Sequence, residues 1–266
     1  MYVSAALAAM LVGEDQLGVI QSLLRVWYYN DSKSVVACME ASGAADCRPK
    51  EVIAHELLLD SPSLRAALVD MLRLSDWDSV RTVAAGSADR VPRKELDAKL
   101  DSFAEQIREE QPMRAHVDGL MAFARERVYH RFLKHAGSLV LPHVGGMECT
   151  SFSRDLAPGV RIVGDALLSP LVCGIVVSDQ TSTELAWAHV VMWATDRTRA
   201  VLCNTENGRI TQVKFNDEAW ERIMRRLKRR LCLSLPLLQS VPRLLTEMAD
   251  CATSTAAEEL VVRWSL

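Results

Sequence analysis

The residue types that could do chemistry gather between Leu185 and Cys251. Glu184 to Ala194 alternates and is rich in β-forming residues, so the spacing predicts a strand carrying Trp187-Ala188-His189-Val190-Val191-Met192-Trp193. A turn at Asp196-Arg197-Thr198 follows, and Ala200 to Asn204 reads as a second, short strand. Antiparallel pairing of the two would bring His189 and Asn204 together, because they lie near corresponding ends. An imidazole oriented by an amide suits proton transfer from a thiol. Val241-Pro242 and then Asp250-Cys251 come later in the chain.

The most basic segment is a second candidate. Arg222 to Leu231 reads as a helix with Ile223, Leu227 and Leu231 on a buried stripe. Arg222, Arg225, Arg226, Lys228, Arg229 and Arg230 then occupy its remaining faces, diluted by Glu218 and Glu221 one turn earlier. Clustered cations of this kind suit nucleic-acid phosphates or an acidic partner. The plainer reading is a solvated face whose charge complements the helix C-terminus. His130, His135, His143 and Cys149 supply nitrogen and sulfur donors close together in sequence. Their spacing matches no zinc knuckle, and a five-residue separation on a helix points His130 away from His135. No metal site is expected. Without a Gly-rich phosphate loop or a cofactor motif, no cofactor is expected either.

The order of His189, Asn204, Val241-Pro242 and Asp250-Cys251 resembles the Ulp and adenovirus-type cysteine peptidases. The resemblance covers residues 185–252. It implies Cys251 as nucleophile, His189 as base and Asn204 as the residue orienting it. Three positions depart from the family pattern. Val190 stands where the family favours Trp, and Ala252 where it favours Gly. Arg243 to Ala249 holds no Gln to complete an oxyanion hole, whose donors normally stabilise the tetrahedral intermediate. Cys149, His189 and Asn204 form a second partition, in the chain order of a papain- or transglutaminase-like site, with Cys149 on a loop.

The elements that must position these residues fall into two parts. Residues 3 to 29 read as one helix, and Asn30-Asp31-Ser32 caps a second that Gly43 ends. Pro49 opens a third, and Ser61-Pro62 is a strong start for a fourth. Arg93 to Glu110 and Met113 to His135 read as an antiparallel helical pair. Gly137, Pro142, Gly145-Gly146, Pro158-Gly159 and Pro170 then cluster, and strand signals take over. Strands are expected at 160–163, 171–177, 184–194, 200–204 and 210–215, with an Asn207-Gly208 hairpin turn before the last. Asn216 or Asp217 caps a helix to Leu231, Pro236 breaks it, and Val241 to Val262 is helical with a break near Cys251. The expected fold is α+β. A helical bundle over 1–138 precedes an α+β domain over 139–266 with a small antiparallel meander and C-terminal helices.

Composition bounds the function. The chain has 266 residues, 49% hydrophobic and 24% charged, enough for a sizeable core. A net charge of −3 gives no bulk attraction to nucleic acid or membrane. Seven cysteines, an odd number with several lying in apolar runs, predict reduced thiols. That points to an intracellular, cytoplasmic protein, with the nucleus as the alternative. Met1 to Val12 is apolar, yet no Lys or Arg precedes it and Glu14-Asp15 follows at once, so an amphipathic helix is expected there. No apolar run is long enough to predict a membrane span. The resulting expectation is a non-catalytic interaction or assembly protein, a scaffold or adaptor, with a protein partner or as a homo-oligomer. A cysteine peptidase or its inactive relic, and a nucleic-acid or acidic-partner binder using residues 222–230, are the alternatives.

Overall fold

The computed structural model describes residues 1–43, 46, 48–74, 93–110, 120, 121, 124, 148–177, 182–204, 210–251, 253–264 and 266. The fold is α+β, and its contacts divide the chain into two compact units. One unit joins Met1–Cys47 to Val140–Leu266, and the other is Arg48–Leu139. The seam expected near residue 140 coincides with one edge of the second unit. The expected helical domain over 1–138 does not hold together, because its first segment packs into the core of the β-containing unit.

That packing begins with a strand. β1 (Tyr2–Ser4) pairs in parallel with β3 (Val160–Leu168), Val3 opposite Ile162. Ser4 then caps α1 (Ala5–Leu11), its hydroxyl accepting from the Leu7 N–H at 3.2 Å. Asp15 caps α2 (Gln16–Asn30), so the single expected helix over 3–29 is interrupted by a new cap. Asn30 closes the far end against the sheet. Its Nδ2 donates to the Tyr2 carbonyl at 2.8 Å, and its Oδ1 accepts from the Tyr2 N–H at 2.7 Å. Asp31 caps α3 (Ser32–Ser42), which ends at Gly43 with φ of 65°, as the residue types require.

The sheet is mixed. β2 (Glu148–Ala157) pairs antiparallel with β3 through a Pro158-Gly159 turn in which Gly159 takes φ of 78°. β3 pairs antiparallel with β4 (Cys173–Val177), and β5 (Arg199–Asn204) pairs antiparallel with β6 (Ile210–Lys214). β4 and β5, however, run parallel, Gly174 opposite Val201. This corrects the expected antiparallel meander. Parallel neighbours need a crossover between them, and a helix supplies it. The crossover is α7 (Ser182–Thr195), where a strand over 184–194 was expected. Ala186, Ala188, Val190, Val191 and Met192 are all buried on it. A helix covered on most sides is apolar on most sides, and a short apolar run of this kind does not show which period it follows.

Asn216 caps α8 (Asp217–Arg229), its Oδ1 accepting from the Ala219 N–H at 2.8 Å. The expected break at Pro236 is instead a π turn over Arg230–Ser234, running into α9 (Leu235–Ser240). Proline cannot donate to the carbonyl four residues back and clashes with it, and a widened turn relieves both problems. α10 (Pro242–Ala249) and α11 (Ser254–Trp264) follow, divided near Cys251 as expected. Glu247 ties them together. Its carboxylate accepts from Trp264 Nε1 at 2.9 Å, from Arg263 at 3.2 Å and from Arg243 at 2.8 Å.

The second unit contains α4 (Lys50–Asp60), α5 (Pro62–Leu74) and α6 (Arg93–Glu110). Ser61 and Pro62 start α5 as their types predict, the Ser61 hydroxyl accepting from the Leu64 N–H at 3.3 Å. Ala54, Leu58, Leu64, Leu68, Phe103, Ala104 and Ile107 form its core with Leu120, Met121 and Ala124. These last three are helical, and the remainder of the helix expected over 113–135 lies outside the described residues.

Candidate functional site

His189 stands on α7, so no strand pairing aligns it with Asn204. It is only 7% exposed, and its Nδ1 lies 2.8 Å from the Leu185 carbonyl, one turn earlier. A carbonyl oxygen can only accept, so Nδ1 donates. Nε2 is buried without a hydrogen-bond partner. The ring packs 5.7 Å from that of Phe215. Asn204 ends β5 with its backbone opposite Val177, and its side chain lies outside the described residues.

Cys251 occupies the break between α10 and α11. Its thiol is directed at the Thr253 carbonyl at 3.8 Å, and it makes no hydrogen bond to His189. Burial raises its pKa above the ordinary thiol value. A cysteine nucleophile needs the opposite, because the thiolate is the reactive form. Cys173 is pushed up to about 12 by burial. Cys149, expected on a loop, is an exposed residue of β2. A thiol-reactive probe at neutral pH is therefore expected to label exposed Cys149 and Cys232 well before Cys251 and Cys173. Fastest labelling at Cys251, read by peptide mapping, would contradict this. His130, His135 and His143 lie outside the described residues. Among the described residues, no group of three His, Cys, Asp or Glu side chains is placed to hold a metal ion.

The basic segment has a clear architecture. α8 packs on α7 through an aromatic joint and also touches α1. Trp220 stacks on Trp193 of α7 with ring centroids 4.8 Å apart, and Phe215 lies 6.0 Å from Trp220. Arg154 of β2 sits over the Trp193 ring at 4.7 Å and donates to the Trp193 carbonyl. Trp220 and Leu227 thus face the core. At helical spacing the opposite side collects Arg222, Arg225, Arg226 and Arg229, with Lys228 on its flank. All five are exposed. Arg226 also reaches back to the end of α1, donating to the Val12 carbonyl at 3.0 Å.

No carboxylate among the described residues pairs with Arg222, Arg225, Arg226 or Lys228, although Glu218 and Glu221 lie on the same helix. Arg230 was expected among the exposed cations and is instead 8% exposed. It begins the π turn, where its Nη2 donates to Gln16 Oε1 of α2 at 3.4 Å. Sequence reasoning also missed Gln16 and Ser234 as its neighbours, since nothing local marks residues that a distant segment covers. No family model, curated protein or solved structure matches the chain.

Proposed function

We propose that this chain is a protein-interaction module without catalysis of its own, docking an acidic segment of a partner protein on the cationic face of α8. The observation that carries the reading is the set of exposed guanidinium groups of Arg222, Arg225 and Arg226 on one helix face, for which no carboxylate partner is found among the described residues. Ion pairing inside a fold normally absorbs such groups, or mixed charges dilute them. Here the aromatic joint at Trp193 and Trp220 holds the helix while the cations stay available.

A protein segment fits this face better than an extended nucleic-acid strand. Arg222 to Arg229 spans roughly 10 Å of helix, at 1.5 Å per residue. Glu218 and Glu221 continue the same surface toward the helix start, where a long polyanion would meet like charge. The net charge of −3 also works against a long polyanion.

The test is fluorescence anisotropy with an Asp/Glu-rich peptide and a single-stranded oligonucleotide, at low and high salt. Peptide binding is expected to weaken with salt, and by more than about tenfold in the Arg222→Glu/Arg225→Glu variant. No peptide binding at low salt, or indifference to the charge reversal, would sink the reading. Preferential binding of the oligonucleotide would replace it with the nucleic-acid alternative.

A further inference from the structure

Arginine is rarely this buried without a carboxylate beside it. Arg230 is 8% exposed, and the one side-chain hydrogen bond it makes among the described residues is a long contact to a neutral amide oxygen. Its Nη1 is buried and has no hydrogen-bond partner among the described residues. One π turn further on, the Ser234 hydroxyl is 2% exposed and also lacks a partner. Two unsatisfied polar groups thus occur on one turn, in a helical form that often marks functional sites. The surrounding charge has the same sign. Burial, with the nearby charges of Arg226 and Arg229 adding to it, pulls the Arg230 pKa down to about 10. Arg230, its cationic neighbours Arg226 and Arg229 and the Ser234 hydroxyl are all donors, and no carboxylate pairs with Arg230 among the described residues.

We propose that Arg230, Ser234 and Arg226 form a receptor for a phosphate monoester at the border of the cationic face of α8. The donors decide the anion. Two guanidinium groups and a hydroxyl offer more N–H and O–H groups than the two oxygens of a carboxylate accept readily, and a tetrahedral phosphate presents three terminal oxygens. A dianion also balances the local charge better than a monoanion. Burial decides the ester. With Arg230 only 8% exposed, a terminal phosphate brings the least bulk to its guanidinium, whereas the two sugars flanking a nucleic-acid diester would hold the phosphate away. The inference deepens the docking function proposed above, on which it rests for the partner: the docking segment carries a phosphorylated side chain.

Calorimetric titration of the full chain with inorganic phosphate and with phosphoserine, at constant ionic strength, tests this. Saturable binding is expected, weakened about tenfold or more in Arg230→Met. Ser234→Ala, which keeps the charge, is expected to give a smaller loss. Phosphate stabilises proteins generally by exclusion from their surfaces, so only saturable binding that weakens in Arg230→Met counts. Circular dichroism of each variant establishes that it is folded. Absence of saturable binding to wild type, or equal binding to a folded Arg230→Met, would overturn the proposal. Equal Arg230 dependence for a 5′-dephosphorylated oligonucleotide would overturn the choice of monoester. A phosphoserine-containing acidic peptide that is sensitive to Arg222→Glu/Arg225→Glu but not to Arg230→Met would leave the docking function standing and remove this site. Phosphate binding without any peptide binding would do the reverse.

Discussion

Replacing Trp220 by alanine is expected to lower the unfolding free energy by about 3–5 kcal/mol, the range for deleting a buried aromatic side chain. Three contacts depend on this ring. It stacks on Trp193 at 4.8 Å, packs 6.0 Å from Phe215, and fills the space between α8 and α7. The stacking geometry adds about 0.5–1.5 kcal/mol beyond buried area. Because α8 carries the cations on its other side, the same substitution loosens the face used for docking. Urea unfolding followed by far-UV circular dichroism measures the effect. A loss below about 1 kcal/mol would show that the joint does not hold the helix. Trp220→Phe is expected to recover much of the loss, since a smaller ring keeps part of the stack.

Arg230→Met should act in the opposite direction, raising stability by about 1–4 kcal/mol, as when buried charges give way to apolar groups of similar volume. Methionine keeps the unbranched stem and removes a guanidinium whose one partner among the described residues is Gln16. The linkage agrees. A cation whose folded pKa lies below its ordinary value weakens the fold wherever it is charged in both states. For Arg230, held down to about 10 by burial and by Arg226 and Arg229, the cost is fully present at neutral pH. Relief comes only as the pH climbs through about 10. Thermal unfolding at neutral pH, without phosphate, reads the change. A variant clearly less stable than wild type would mean that the arginine makes a structural contribution its contacts do not reveal. Gain in stability together with loss of phosphate binding is the pattern expected of a residue kept for a ligand.

Local signals in the sequence were accurate where the physics is local. Asp31, Ser61 with Pro62, Gly43 and Asn216 sit at the helix ends their side chains favour, because a cap needs only its own few residues. The stripe of Ile223, Leu227 and Leu231 placed α8 and its exposed cations at Arg222, Arg225, Arg226, Lys228 and Arg229, but not buried Arg230. Two strands were harder to read. β2 is almost entirely exposed, so Glu148 to Ala157 carries no apolar alternation to announce it. β1 is three residues long and exists only because β3 arrives beside it.

The sequence by itself determined the α+β class, the helix caps and which face of α8 is charged, all set by spacing within a few turns. Only the tertiary structure decided that α7 is a helix, because the parallel pairing of β4 with β5 demands a crossover and the apolar run Ala186 to Met192 fits either period. The same holds for the candidate chemistry. Once α7 is helical, His189 turns into the core to bond Leu185, and the expected approach of Asn204 and Cys251 has no scaffold. Arg230 lies at the edge of the apolar stripe, where local pattern is neutral. Its burial is set by α2, whose Gln16 lies 214 positions earlier in the chain. A boundary residue takes its environment from the segment that packs on it, and periodicity within one helix carries no record of that segment.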